Sequence, residues 1–192
     1  MAAAKRLEAR QIRALRLGVV KQMLKKDRGN KLARALLLGL ATDTIAEYVI
    51  EKLKVKAIQG DRQALSLLLT QAREGQEHHR KWVLFKMQDI AEKGMPQIIP
   101  TLELVAKKDP IPSHKYYALL GLGKLYTRGV KPALPVLENL LLQMLNNNKY
   151  DGIIWAGLTA VVRAAATGNK RALHFIASNK PDLLEQAKMF QT

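Results

Sequence analysis

A short glycine-led block recurs four times along the chain, and it constrains the fold more than any other feature. Each copy has a glycine, three variable residues and then two apolar residues, and the copies begin at Gly60, Gly94, Gly129 and Gly168. These glycines are 34, 35 and 39 residues apart. A repeat of this length is typical of stacked helical pairs, so we predict a helical repeat architecture.

Apolar residues recur at the same offsets from each glycine. Around Gly60, the residues ten, seven and three positions before it are Ile50, Leu53 and Ala57. The residues four, five and eight positions after it are Ala64, Leu65 and Leu68. Because steps of three and four lie on one face of a helix, each repeat predicts a helix, a turn and a second helix. Glycine suits the turn, since a helix commonly ends on a residue with positive φ.

The glycine turn, the period and the apolar pair after the turn resemble the HEAT-like family of α-solenoids. That pair is Ala-Leu in three copies, at Ala64-Leu65, Ala133-Leu134 and Ala172-Leu173. The resemblance implies an all-α fold, a right-handed α-solenoid of about five antiparallel helical pairs with a C-terminal capping helix. It implies little about function, because such arrays mostly serve as binding surfaces.

We expect a single domain, residues 1–192, since no linker is long enough to divide it. A basic helix over 5–26 is followed by repeats over about 30–178 and a cap over 181–190. The repeats predict helices over 31–41, 45–58, 62–74, 77–93, 114–128, 132–145, 152–167 and 170–178. Asp61 and Ser113 are predicted N-caps. Pro96 and Pro100 predict a late start or a kink in the helix after Gly94.

The chain is strongly basic, with a net charge of +16 and a pI of about 10.2. Such a field attracts polyanions, and a pI above about 9 is typical of nucleic-acid binding domains. An acidic protein or an anionic membrane surface are the alternatives. Residues 1–34 contribute +9 of the excess, although they make up only the first fifth of the chain.

The N-terminal segment has an apolar face on a predicted amphipathic helix, with Ile12, Leu15, Val19 and Met23 at helical spacing. Three interpretations remain open for it. It is an organellar transit peptide, a helix lying on a membrane surface, or the first helix of the solenoid with one side facing a polyanion. We favour the third, because the segment lacks serine and runs directly into the repeats.

Basic residues flank the glycine turns, and stacked repeats would align these turns along one edge. Each turn would also expose a helix N-terminus, whose free N–H groups and dipole favour anions. We therefore predict that two groups of residues bind nucleic acid. The N-terminal group is Arg6, Arg10, Arg13, Arg16, Lys26, Arg28 and Lys31, and the turn group is Arg62, Lys93, Arg128, Lys131, Lys170 and Arg171.

Catalytic and metal-binding motifs are missing from the sequence. The chain has no cysteine, and the adjacent His78 and His79 point about 100° apart on a helix, so they cannot share one metal ion. One HEAT-like branch consists of DNA glycosylases that use a tryptophan and a carboxylate. Neither Trp82 with Asp89 nor Trp155 with Arg163 matches its catalytic set. We expect no enzyme activity, with DNA glycosylase-like activity as the one exception left open, and we expect no catalytic residues, no metal and no cofactor.

These features favour a non-enzymatic protein that binds the nucleic-acid backbone, with duplex DNA ahead of RNA. Aromatic residues make up only 5% of the chain, which argues against a platform for stacking single-stranded bases. The alternative is a scaffold or adaptor that grips an acidic protein partner. No apolar run approaches the roughly 20 residues that span a bilayer, so we expect no transmembrane segment. We expect a cytoplasmic location, with nucleoid association as a variant of it.

Overall fold

The computed structural model describes residues 43–147 and 151–184, and within these ranges every regular element is helical. A 3₁₀ turn, Pro96–Ile98, precedes the fourth of the α-helices. The α-helices are α1 (Asp43–Ile58), α2 (Arg62–Glu74), α3 (Glu77–Glu92), α4 (Ile99–Lys108), α5 (Pro112–Thr127), α6 (Ala133–Asn147), α7 (Asp151–Ala166) and α8 (Lys170–Asn179). The all-α prediction is confirmed. The predicted helices over 5–26 and 31–41, and the cap beyond residue 184, lie outside the described residues.

The chain divides into two compact units, residues 1–82 and 83–192. In the described part of the first unit, α1 packs against α2. In the second unit, α5 packs against both α4 and α7, α6 contacts α4, α5 and α7, and α8 packs on α7. The first helices of successive repeats are therefore neighbours in the second unit, and so are the second helices.

The apolar columns around the glycines form the core. Before the glycines, the residues at all three offsets are buried in every copy, including Tyr126, the one polar-tipped residue in these columns. After the glycines, the fourth and eighth residues are buried in every copy. Only Leu134 and Leu173, in the fifth column, are half-buried. The burial predicted from the spacing is thus confirmed almost position by position.

The four glycines adopt the backbone conformation expected of helix-ending turns. Their φ angles are +96° at Gly60, +71° at Gly94, +70° at Gly129 and +84° at Gly168. At Gly168, the glycine N–H donates to the Ala165 carbonyl at 2.9 Å, and the next N–H donates to the Ala164 carbonyl at 3.0 Å. The same pair of bonds occurs at Gly60 and Gly129. These bonds satisfy carbonyl groups at the helix end that would otherwise lack partners.

Helix starts show where sequence reasoning worked and where it did not. α2 spans the predicted residues, and Asp61 caps it by accepting from the N–H groups of Gln63 and Ala64 at 2.9 and 3.0 Å. The helix after Gly94 starts late, at Ile99, as its prolines predicted. The Ser113 cap is wrong: α5 begins at Pro112, whose fixed φ suits a first turn, so Ser113 lies inside the helix.

Asp109 organises the start of α5 in place of a serine cap. Its Oδ1 atom accepts a hydrogen bond from the Ile111 N–H at 3.0 Å and lies 3.2 Å from Nδ1 of His114. Both side chains are almost fully buried. His114 is therefore a buried residue paired with a carboxylate.

Candidate nucleic-acid interface

The turn at Gly94 lies against the turn at Gly129. A Cβ atom placed on Gly94 would be 3.8 Å from Cγ2 of Val130 and 4.0 Å from Cδ of Arg128. These are ordinary van der Waals distances, so the two turns touch through side chains of the second one. The fold therefore brings Lys93 and Arg128, both predicted as phosphate ligands, to neighbouring turns.

A polar network joins the turns at Gly129 and Gly168. Glu138, on α6, accepts a hydrogen bond from the Tyr126 hydroxyl at 2.9 Å. The same carboxylate accepts two hydrogen bonds from the Arg171 guanidinium, from Nε–H at 2.9 Å and from Nη2–H at 2.7 Å. Three helices, α5, α6 and α8, thus meet at one carboxylate, and the second and third turns of this unit are held close together.

Four of the predicted basic residues of the second unit are exposed at these turns and have no partner among the described residues. We call them the turn edge: Lys93, Arg128, Lys131 and Lys170. None of their side chains makes a hydrogen bond or an ion pair with any residue in the described ranges. Arg62, in the first unit, is likewise exposed and has no such partner. These charges are available to an external anion.

Several lysines on the helix faces differ from the turn edge because acids neutralise them. Lys54 lies 2.6 Å from Glu51, one turn earlier on α1. Lys107 pairs with Glu103 along α4, and Lys124 on α5 pairs with Glu92 on α3. Acids therefore neutralise these three lysines on the helix faces, whereas no acid of the described ranges neutralises the turn edge.

Arg171 is the exception among the turn residues. Its guanidinium grips Glu138 through two nitrogens, the geometry that gives arginine–carboxylate pairs their strength. The hydrogen bond to Glu138 raises the pKa of Arg171, while burial acts in the opposite direction. Arg171 keeps half of its side chain exposed. A phosphate would nevertheless have to compete with Glu138, which is only 8% exposed.

Helix N-termini contribute less than the sequence suggested. At α2 and α8, the first N–H groups already bond to the cap side chains of Asp61 and Asn169. Asn169 accepts from the N–H groups of Arg171 and Ala172 at 3.1 and 3.2 Å. The expectation of free N–H groups at every turn is therefore wrong at these two. Asp61 also adds a negative charge beside Arg62.

The N-terminal group of predicted ligands lies outside the described residues. This group comprises Arg6, Arg10, Arg13, Arg16, Lys26, Arg28 and Lys31. Their role stays a prediction based on charge, and so does the spatial relation of that segment to the turn edge.

A groove between α5 and α7 escaped the sequence reasoning. Its cavity volume is about 360 Å³, and its rim carries two exposed aromatic side chains, Tyr116 and Trp155, at 38% and 47% exposure. The low aromatic content of the chain had argued against a stacking platform. The percentage of aromatic residues is an average over the whole sequence, whereas the fold places several of the few aromatic side chains close together.

Two further features, a cluster of metal-ligating side chains and a membrane-spanning helix, were considered for the described ranges. No cluster of three or more potential metal ligands occurs there. None of the helices described is long and apolar enough to cross a membrane. Comparisons with protein-family models, with curated proteins and with solved structures found no match to this chain.

Proposed function

We propose that this chain is a HEAT-like α-solenoid that binds nucleic acid through its phosphate backbone, without catalysing a reaction. The observation that carries the proposal is the turn edge, where Lys93, Arg128, Lys131 and Lys170 are exposed, unpaired within the described ranges and located at adjoining turns. Phosphate contacts made by lysine and arginine supply most of the sequence-independent affinity for nucleic acid. Weak sequence specificity follows, because such contacts position the ligand without reading its bases.

Charge at the level of the whole chain supports the same ligand class. The net charge of +16 would steer a polyanion towards the protein from a distance. Arg62 in the first unit and the basic N-terminal group extend the set of cations beyond the turn edge. Duplex DNA is the preferred form in this proposal, because a rigid helical repeat presents fixed charges to a ligand whose phosphates are also regularly placed.

The test is the salt dependence of binding to a duplex of random sequence. Counterion release predicts that log affinity falls linearly with log salt, with a slope of about −0.9 for each phosphate contact. Replacing Arg62, Lys131 and Lys170 together with Ala should make the slope shallower by about three units and leave helicity unchanged. Replacing Arg6, Arg10 and Arg13 should act in the same direction.

The matched control changes lysines that do not belong to the turns. Lys54 is paired with Glu51, and Nζ of Lys52 lies 5.5 Å from the ring centre of Tyr48. Lys52→Ala combined with Lys54→Ala should therefore lower duplex affinity less than the changes at the turns do. An equal loss in the control would show that the charge acts as a diffuse field and would remove the turn edge from the proposal. No duplex or single-strand binding at about 50 mM salt would favour an acidic protein partner instead.

A further inference from the structure

Two stripes of residues form the walls of the α5–α7 groove. On α5 they are Tyr116, Leu120, Gly123, Lys124 and Thr127, and on α7 they are Gly152, Trp155, Ala156, Thr159, Ala160 and Arg163. Both stripes return to the groove every three or four residues, singly or as adjacent pairs such as 123–124 and 155–156, so each is one continuous face of its helix. The groove is therefore a regular feature of two packed helices and needs no irregular loop.

Close packing of small residues forms the floor of the groove. A Cβ atom on Gly123 would lie only 2.6 Å from Cβ of Ala160, so only glycine allows the two helices to approach this closely. Large side chains remain at the rim, where Tyr116 and Trp155 are both more than a third exposed. Two exposed aromatic side chains thus line a groove whose floor consists of small residues, a composition that suits a planar ring.

The charge of the groove is positive. Among the residues that the structure describes, its lining contains Lys124 and Arg163 and no acidic residue. Lys124 is paired with Glu92, whereas the Arg163 guanidinium is exposed and makes no ion pair or hydrogen bond in the described ranges. Arg163 follows Trp155 by eight residues on the same face, which is about 12 Å along the helix axis. A ligand that contacts both Trp155 and Arg163 needs a planar ring and an anionic group separated by roughly this distance.

Further aromatic rings continue from the rim. Tyr116 contacts Tyr117 edge to face, with ring centres 5.5 Å apart, and Tyr117 contacts Phe85 on α3 at 5.8 Å. Phe85 is itself exposed, and Nζ of Lys86 lies 5.5 Å from its ring centre. Proteins that bind unpaired nucleic-acid strands commonly interleave aromatic rings with cations, because bases stack on the rings while phosphates pair with lysine and arginine.

We propose that the α5–α7 groove binds an unpaired nucleotide segment, with a base stacked on Trp155 and Tyr116 and a neighbouring phosphate at Arg163. This inference shares the ligand class of the proposed function but uses a different surface. Stacking tolerates any base, so the groove would add affinity for single strands without sequence specificity. An acidic peptide would also satisfy Arg163, but it would leave the exposed rings of Tyr116 and Trp155 without a planar partner.

The test measures fluorescence anisotropy of a labelled oligothymidylate of about 15 nucleotides, alongside an abasic strand of equal length. Trp155→Ala should weaken binding of the oligothymidylate about 5- to 150-fold, the usual range for losing one stacked base. Binding of the abasic strand should be unchanged, because it offers phosphates only. Trp155→Phe should recover most of the affinity, since the aromatic face returns.

Two further measurements guard against a folding artefact. Leu104→Ala removes an equally exposed apolar side chain from α4 and should leave both affinities unchanged. Intrinsic tryptophan fluorescence of the unmodified protein should be quenched by the oligothymidylate, and the quench should be lost in Trp155→Phe protein. Oligouridylate in place of oligothymidylate distinguishes RNA from DNA as the source of the strand, and binding of either supports the groove.

The inference is overturned if Trp155→Ala binds the oligothymidylate as the unmodified protein does, or loses the abasic strand equally. Displacement of the strand by polyglutamate, combined with equal binding of the abasic strand, would assign the groove to an acidic peptide instead. The duplex is the separate arm. Trp155→Ala should leave duplex affinity unchanged, so failure of duplex binding overturns the turn edge alone and failure of Trp155 dependence overturns the groove alone.

Discussion

The turns at Gly129 and Gly168 carry almost the same sequence signal and reach different outcomes. Arg128 and Lys131 flank the first turn, and both are exposed without a partner in the described ranges. Lys170 and Arg171 follow the second, and Lys170 behaves in the same way. Arg171 instead grips the nearly buried Glu138. A basic residue beside a glycine turn can therefore serve as a ligand or as an internal clamp, and its neighbours decide which.

The largest expected effect is on binding at the first of these turns. Arg128→Ala combined with Lys131→Ala removes two phosphate contacts. If the double variant and the unmodified protein bind the duplex equally near 1 M salt, the variant should bind it about 60-fold more weakly at about 0.1 M. Lys170→Ala alone should cost about eightfold by the same reasoning. Both measurements come from one salt titration for each variant. Equal losses for the double and the single variant would contradict independent contacts.

The clamp should show itself in stability. Arg171→Ala leaves the Glu138 carboxylate nearly buried with only the Tyr126 hydroxyl as a described partner, so the free energy of unfolding should fall by about 1–3 kcal/mol. Lys170→Ala is the matched control and should stay within about 0.5 kcal/mol. Urea denaturation of the two variants measures the difference. If both leave stability unchanged and weaken duplex binding alike, Arg171 is a phosphate ligand and the contrast between the turns disappears.

Stability at alkaline pH tests the hydrogen bond that the Tyr126 hydroxyl donates to the same carboxylate. Burial, and next the hydrogen bond to Glu138, raise the pKa of the Tyr126 hydroxyl above its ordinary value of 10.0. The unfolded chain then releases this proton first, so the stabilising contribution is complete below about pH 10 and declines as pH rises further. Tyr126→Phe should cost about 1 kcal/mol at neutral pH and reduce the loss of stability that begins above about pH 10. An identical alkaline slope in the two proteins would contradict this.

The smallest expected effect comes from the caps. Asp61→Asn keeps an N-cap of equal quality, so stability should hold within about 0.5 kcal/mol. It removes one negative charge beside Arg62, which should strengthen duplex binding about twofold at low salt. The reciprocal variant Asn169→Asp should weaken binding by about the same factor. Changes in the same direction for both variants would show that the caps do not act through their charge.

The helices could be predicted from the sequence because the apolar spacing and the glycines that define them lie only a few residues apart. Leu65 and Leu68 lie within two turns of Gly60, so periodicity could place them on a buried face, and all three adopted the predicted state. The Ser113 cap failed because Pro112 and Asp109 competed for the same helix start and won. The overstated role of helix N-termini has a related cause, since Asp61 and Asn169 occupy the N–H groups themselves.

The sequence by itself determined the repeat, the buried columns and the four positive-φ glycines, because these depend on residues a few positions apart. Tertiary structure decided which cations remain unpaired and where the aromatic residues meet. Arg171 and Glu138 are 33 residues apart, and the rim of the groove joins Tyr116 to Trp155. Such pairs form only when packed helices bring side chains that are distant in the sequence together. Periodicity predicts which face of a helix is buried, but it does not predict which residues of another helix pack against that face.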